Sequence, residues 1–178
     1  MQVFDRRRAS MAEAAGRPSS AAPELHVLRD VERHARLRRR LWWGLRAVGA
    51  LSLLAVGAVH LQQYLYLYSA IPTIGTLFLL NFAGATAIGL GLLAPVGRLL
   101  GRWGGAAEAF LALGGAGLAA TAFVSLLISE RTPLLGFMEP GYDPPAIVAS
   151  RVAELITVGL LGSLFVARVA RRLRRGGW

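Results

Sequence analysis

Six residues offer chemistry by type and spacing: His60, Tyr64, Asn81, Glu139, Arg151 and Glu154. An imidazole and a carboxyl at one level can share a proton, and an asparagine amide both donates and accepts hydrogen bonds. An arginine three residues before a glutamate on a helix can neutralise it. Most of these groups sit inside or beside long apolar runs. A charged group there costs ~2.5–3.5 kcal/mol or more unless it faces a protein interior.

At ~1.5 Å of rise per residue, depth can be counted along each run. His60 lies about 17 residues beyond Trp43, roughly one turn short of the far boundary of the first run. Asn81 is about nine residues in from the start of the second run, and Thr121 and Ser125 reach a similar level on the third. Glu154 lies about 14 residues above Arg168, with Arg151 one turn nearer the surface. All four runs thus bring polar groups to the outer half of a bundle. Two readings follow. In one, His60, Asn81 and Glu154 line an outward-opening pocket, with His60 and Glu154 as a proton-sensitive pair. In the other, Arg151 neutralises Glu154 and Asn81 bonds a neighbouring backbone carbonyl. At the opposite edge, Arg46, Glu108 and Arg168 reach comparable depth and are expected to pair.

The elements that must position these groups are four apolar runs, near residues 41–64, 71–96, 105–128 and 146–169. Each is close to the ~20 residues that span hydrocarbon as a helix, and none has the polar face of a soluble helix. The composition agrees, at 54% hydrophobic residues and a mean hydropathy of +0.49. Small residues four apart (Ala85 and Gly89, Ala87 and Gly91, Gly115 and Ala119, Gly159 and Ser163) should let helices approach closely. The third run is small on nearly every side and is expected to be the most buried. If the first helix continues past His60, then Tyr64 and Tyr68 fall on the same stripe. Pro72 suits the first turn of the next helix, and Thr73 can cap it.

The formal charge of +10 belongs to the flanks. All 20 basic residues are arginine, ten of them in the first 40 positions and five in the last eleven. Arginine-rich ends on an apolar body reflect membrane topology rather than a nucleic-acid face, so nucleic acid is not an expected partner. With both termini cytoplasmic, every arginine except Arg131 and Arg151 lies on the inner side. The loop 129–145 is then external, slightly acidic and rich in proline, which favours an ordered turn. Residues 1–22 read as a disordered tail, and 23–40 as a basic juxtamembrane helix suited to anionic lipid. Residues 41–170 form the transmembrane domain, and 171–178 a basic C-terminal tail. The early Arg6-Arg7-Arg8 cluster lacks the apolar stretch of a signal peptide directly behind it.

The absence of cysteine excludes disulfides, iron–sulfur clusters and thiol redox chemistry. His26 and His34 lie across the membrane from His60, which disfavours a bis-histidine haem. No phosphate loop or hydrolase signature occurs, and neither a metal nor a cofactor is expected.

The stretch "HLQQYLYLYSAIPTIGTLFLLNFAGATAIGLGLL", followed later by "LLGFMEPGYDPP", resembles a group of uncharacterised small four-span integral membrane proteins of high-GC Gram-positive bacteria. The likeness covers residues 41–168. It implies the architecture and directs attention to His60, Pro72, Gly75, Asn81 and Glu139. The expected fold is an all-α four-helix transmembrane bundle in the plasma membrane. The expected role is a non-catalytic accessory or binding component, with a membrane-protein partner or homo-oligomer. A small proton-coupled or small-molecule transporter is the alternative, and a membrane enzyme of lipid or quinone chemistry the third.

Overall fold

The computed structural model describes residues 21–141, 143–174 and 176, with side chains from Arg29 onward. The expected disordered tail lies outside the described residues, except for Ala21 and Ala22, which open the first helix. Among the described residues there are four long helices: α1 (Ala21–Tyr66), α2 (Pro72–Leu93), α3 (Gly104–Ser129) and α4 (Pro144–Arg174). Each is long and apolar enough to cross a membrane. The protein is an all-α, four-span integral membrane protein.

The chain divides into two compact units after Leu41. In the first, the described side chains are exposed, with Arg36 on Glu32 at 2.8 Å one turn back. From Trp42 onward, each helix buries one stripe. On α1 it runs Arg46, Gly49, Leu53, Val56, His60 and Gln63, alternating by three and four residues. On α4 it is Ser150, Glu154, Thr157, Leu161 and Leu164. On α2 it includes Asn81, Ala85, Gly89 and Leu92, and on α3 Glu108, Ala112, Gly115 and Ala119. This spacing is the seam of helices packed at shallow angles. The outward faces carry Leu51, Leu80, Phe110 and Val166, as lipid contact requires.

The middle of the bundle is apolar. Ala50, Leu53, Ala85, Leu92, Ala112, Leu161 and Leu164 form one cluster with no exposed surface. Gly115 is the crossing point. A Cβ there would stand 2.6 Å from Leu161 Cδ1, 2.9 Å from Leu53 Cδ2 and 3.3 Å from Ile88 Cγ2, which are side chains of the other three helices. The α3 expectation is overturned by the same geometry. Its most apolar stretch is 17% buried, against 39% for α1. Small residues help only where a neighbour approaches, and Gly117 has nothing within 4 Å. Gly159 has none either, and with Ser163 it faces outward.

At the Trp42 end, Glu108 is the centre of a charge cluster. Arg46 stands 3.6 Å away, Arg168 donates to the other carboxylate oxygen, and Trp42 Nε1 donates at 3.1 Å. Arg46 also donates to the Leu92 carbonyl at 2.5 Å and to the Ala94 carbonyl, which closes the end of α2. Arg168 and Arg171 lie over the Trp42 ring at 4.5 and 4.3 Å. Arg171, Arg172 and Arg174 belong to the last turn of α4, and the described chain beyond it is Gly176 alone.

At the His60 end, α1 stops at Tyr66. Leu67 leaves the helical region at φ −132°, and Tyr68–Ala70 form a single 3₁₀ turn that carries Tyr68 inward. The stripe through Tyr64 therefore does not extend to Tyr68. Pro72 begins α2, and no side chain caps it. Thr73 is exposed, and it is Thr76 that bonds back, to the Pro72 carbonyl at 2.7 Å. Gly75 lets α2 start against this turn, since a Cβ would lie 2.6 Å from the Tyr68 carbonyl oxygen.

Candidate functional site

A cavity of about 280 Å³ opens at the His60 end of the bundle. Four of the six residues singled out by spacing line it: His60, Asn81, Glu139 and Glu154. Tyr64 and Arg151 do not. Tyr64 is half-buried, with its ring beside Gly75. Arg151 pairs with Glu130, at the end of α3, rather than with Glu154 one turn along its own helix. The direct ion-pair partner of Arg151 is thus a residue 21 positions earlier, just past the end of α3.

The centre of the site is a contact between α1 and α4. His60 Nε2 stands 3.9 Å from Glu154 Oε1. His60 Nδ1 is 2.9 Å from the Val56 carbonyl oxygen, which can only accept, so the ring proton sits on Nδ1. In the neutral ring Nε2 is then an acceptor, and a second proton there would turn it into a donor facing the carboxyl. Ser150 Oγ donates to Glu154 Oε1 at 2.8 Å, again from one turn away. Glu154 is 1% exposed and Asn81 8%. Among the described residues, Glu154 Oε2 and Asn81 Oδ1 are buried acceptors without a hydrogen-bond partner. Leaving such groups unmatched costs ~1–3 kcal/mol each, more where the group is charged. The neighbouring polar step, Ser52 Oγ to Thr157 Oγ1 at 2.7 Å, is satisfied in turn by the Ala153 carbonyl.

The roof is built by the connections. Asp143 starts α4: its Oδ1 accepts from Ala146 N at 3.2 Å, ahead of the two prolines of the first turn. Its other oxygen accepts from Gln63 Nε2 at 2.9 Å, tying α1 to α4. Leu134 and Phe137 exchange backbone hydrogen bonds at 2.7 and 3.0 Å around Leu135 and Gly136. Both central residues have positive φ, 52° and 81°, the geometry of a tight hairpin turn. The turn presents Leu134 and Phe137 to the cavity, and Glu139 follows. Tyr68 donates its hydroxyl to Glu139, whose second oxygen accepts from Gly141 N at 2.9 Å. Phe78 is stacked on Tyr68, with centroids 4.6 Å apart, and stands 5.1 Å from the His60 ring. Phe137 meets Tyr68 edge-on at 5.6 Å.

Gln63, Phe78, Phe137 and Ser150 thus belong to the site although they were not among the six, and Tyr68 joins it through the 3₁₀ turn rather than through the helical stripe. One local signal was available, the Asp143-Pro144-Pro145 helix start that fixes where Ser150 and Glu154 point. Among the described residues no three histidine, aspartate or glutamate side chains are placed to hold a metal ion. No protein-family model, curated protein or solved structure matches the chain.

Proposed function

We propose that this protein is a plasma-membrane binding component. Its pocket lies in the outer half of the bilayer, and both termini are cytoplasmic. The observation that carries the reading is the juxtaposition of His60 and Glu154, 3.9 Å apart, at a cavity whose Asn81 and Glu154 oxygens lack partners. A purely structural pairing would consume its own acceptors. The distribution of arginine supports the orientation, since only Arg131 and Arg151 fall on the side of the cavity. The same rule leaves the basic segment 23–40 facing the anionic inner leaflet, which it attracts at ~1 kcal/mol per arginine near the surface. As an accessory component, the protein works with a membrane partner or a second copy of itself.

The test is ligand-dependent stability. A ligand present at about 100 times its Kd stabilises the folded state by ~2.7 kcal/mol. Amphiphiles of positive, neutral and negative charge should therefore be screened for a raised Tm in nanodiscs. At least one class should stabilise the wild type by about twice as much as it stabilises Glu154→Gln, as a tenfold weaker site requires. Identical responses of the two proteins to every class would refute the reading.

A second reading, a small proton-coupled carrier, is favoured by the same pair, because a proton taken up or released by His60 and Glu154 changes the charge seen by a ligand. It predicts that Glu154→Gln abolishes pH-dependent flux in proteoliposomes. Against free passage stands the apolar cluster around Leu53 and Leu161, roughly 10 Å of packed helix from Glu154 to Leu161 at 1.5 Å per residue.

A further inference from the structure

The walls of the cavity differ in exposure in a way that identifies its entrance. Of its lining residues, Leu77 and Leu80 on α2 and Thr121 on α3 are exposed, while the others are buried or half-buried. The mouth therefore lies between α2 and α3, on the side of the bundle. Leu77 and Leu80 are five and eight residues into α2, and Thr121 is eight from the end of α3. At 1.5 Å per residue these positions are roughly 8–12 Å below the helix ends, inside the ~30 Å hydrocarbon layer. What enters here comes from the bilayer.

The interior specifies the other end of that molecule. The unpartnered atoms at the site, Glu154 Oε2 and Asn81 Oδ1, are both acceptors, and the free nitrogen of the neutral His60 ring is a third. Among the described lining residues there is no arginine, and two are glutamates. Glu139 is engaged by Tyr68 and Gly141, which leaves Glu154 as the carboxyl that can take a new donor. Three aromatic rings, Tyr68, Phe78 and Phe137, line the same space, and aromatic rings are favourable neighbours for a cation. The volume of about 280 Å³ is at the small end of ligand sites, so it suits a head group rather than a whole amphiphile.

Resting on the binding reading above, we propose that the site takes the ammonium head of a lipid-soluble amine. The N–H groups would meet Glu154 and Asn81, and the alkyl tail would leave between Leu77, Leu80 and Thr121. A neutral alcohol supplies one donor and no charge, and an anion meets carboxylates.

The probe is radiolabelled dodecylamine, measured by equilibrium dialysis against the full-length protein in nanodiscs, with empty nanodiscs as the blank. Saturable binding above the blank is expected. Dodecanol and dodecyl sulfate should compete at least about tenfold more weakly, and dodecyltrimethylammonium, which lacks N–H donors, should fall between. Glu154→Gln and Asn81→Leu should each weaken binding about tenfold, the cost of one charge-assisted or buried hydrogen bond. Thr121→Phe, at the mouth, should slow association more than it weakens affinity. Far-UV circular dichroism and the elution profile establish that each variant is folded. Should Glu154→Gln misfold, the ranking of competitors on the wild type decides alone. Dodecanol binding as tightly as dodecylamine would overturn the amine assignment and leave the binding reading standing. Saturable binding of none of the four probes would overturn both.

Discussion

Replacing Glu108 with glutamine measures how the Trp42 end of the bundle is held. The carboxylate is 2% exposed and lies between Arg46 and Arg168. Removing one partner of a buried ion pair costs ~3–5 kcal/mol, because a charge is left uncompensated. Three features reduce that figure here. Arg46 keeps the carbonyl oxygens of Leu92 and Ala94 as acceptors. The Arg168 side chain is 27% exposed and lies over Trp42, from which it can extend toward the interface. The glutamine can still accept from Trp42. The expected loss is therefore about 2–3 kcal/mol. Arg168→Met should cost about 1 kcal/mol, in line with its exposure. Arg46→Met should cost most, about 4 kcal/mol, since it also uncaps α2. The assay is unfolding by SDS in mixed micelles, followed by circular dichroism and extrapolated linearly. Glu108→Gln within about 0.5 kcal/mol of wild type would refute the reasoning, since that is the range of an unremarkable surface change. An order placing Arg168→Met above Arg46→Met would refute it equally.

Further outcomes follow from the same geometry. Gly75→Ala presses on the Tyr68 carbonyl, a backbone atom that no side-chain rotation relieves, and should cost ~1–3 kcal/mol in the unfolding assay. Gly117→Ala, with open space around it, should be neutral or slightly stabilising. Tyr68→Phe removes the hydroxyl that ties the α1–α2 connection to Glu139, and should cost about 1–2 kcal/mol while amide exchange rises over residues 134–141. In a chain without cysteine, Leu135→Cys should react with a membrane-impermeant maleimide on intact cells, and Gly97→Cys only after permeabilisation. The reverse pattern would invert the topology.

Depth was legible because an apolar run of known rise is a ruler. Counting along it brought His60, Asn81 and Glu154 to one level, and the structure places all three around one cavity. The charge cluster of Arg46, Glu108 and Arg168 was readable for the same reason. What the ruler cannot register is a change of direction. The spacing of Tyr64 and Tyr68 assumed one continuous helix, but the backbone turns at Leu67 and sends only Tyr68 to the interior. Nor can it register contacts across a connection. Arg151 lies close in sequence to Glu154, yet Glu130 reaches it first from the end of α3. The α3 reading failed on a different point, since composition reports what a helix permits and not which of its faces a neighbour occupies.

A mouth at Leu77, Leu80 and Thr121 changes the unit in which occupancy is counted. For a solute that arrives through the bilayer, the governing concentration is its mole fraction among the lipids, not its molarity in water. Diluting the buffer at fixed lipid would leave occupancy nearly unchanged, whereas adding empty vesicles would drain the site. A protein that takes its ligand by this route would respond to the composition of its own membrane.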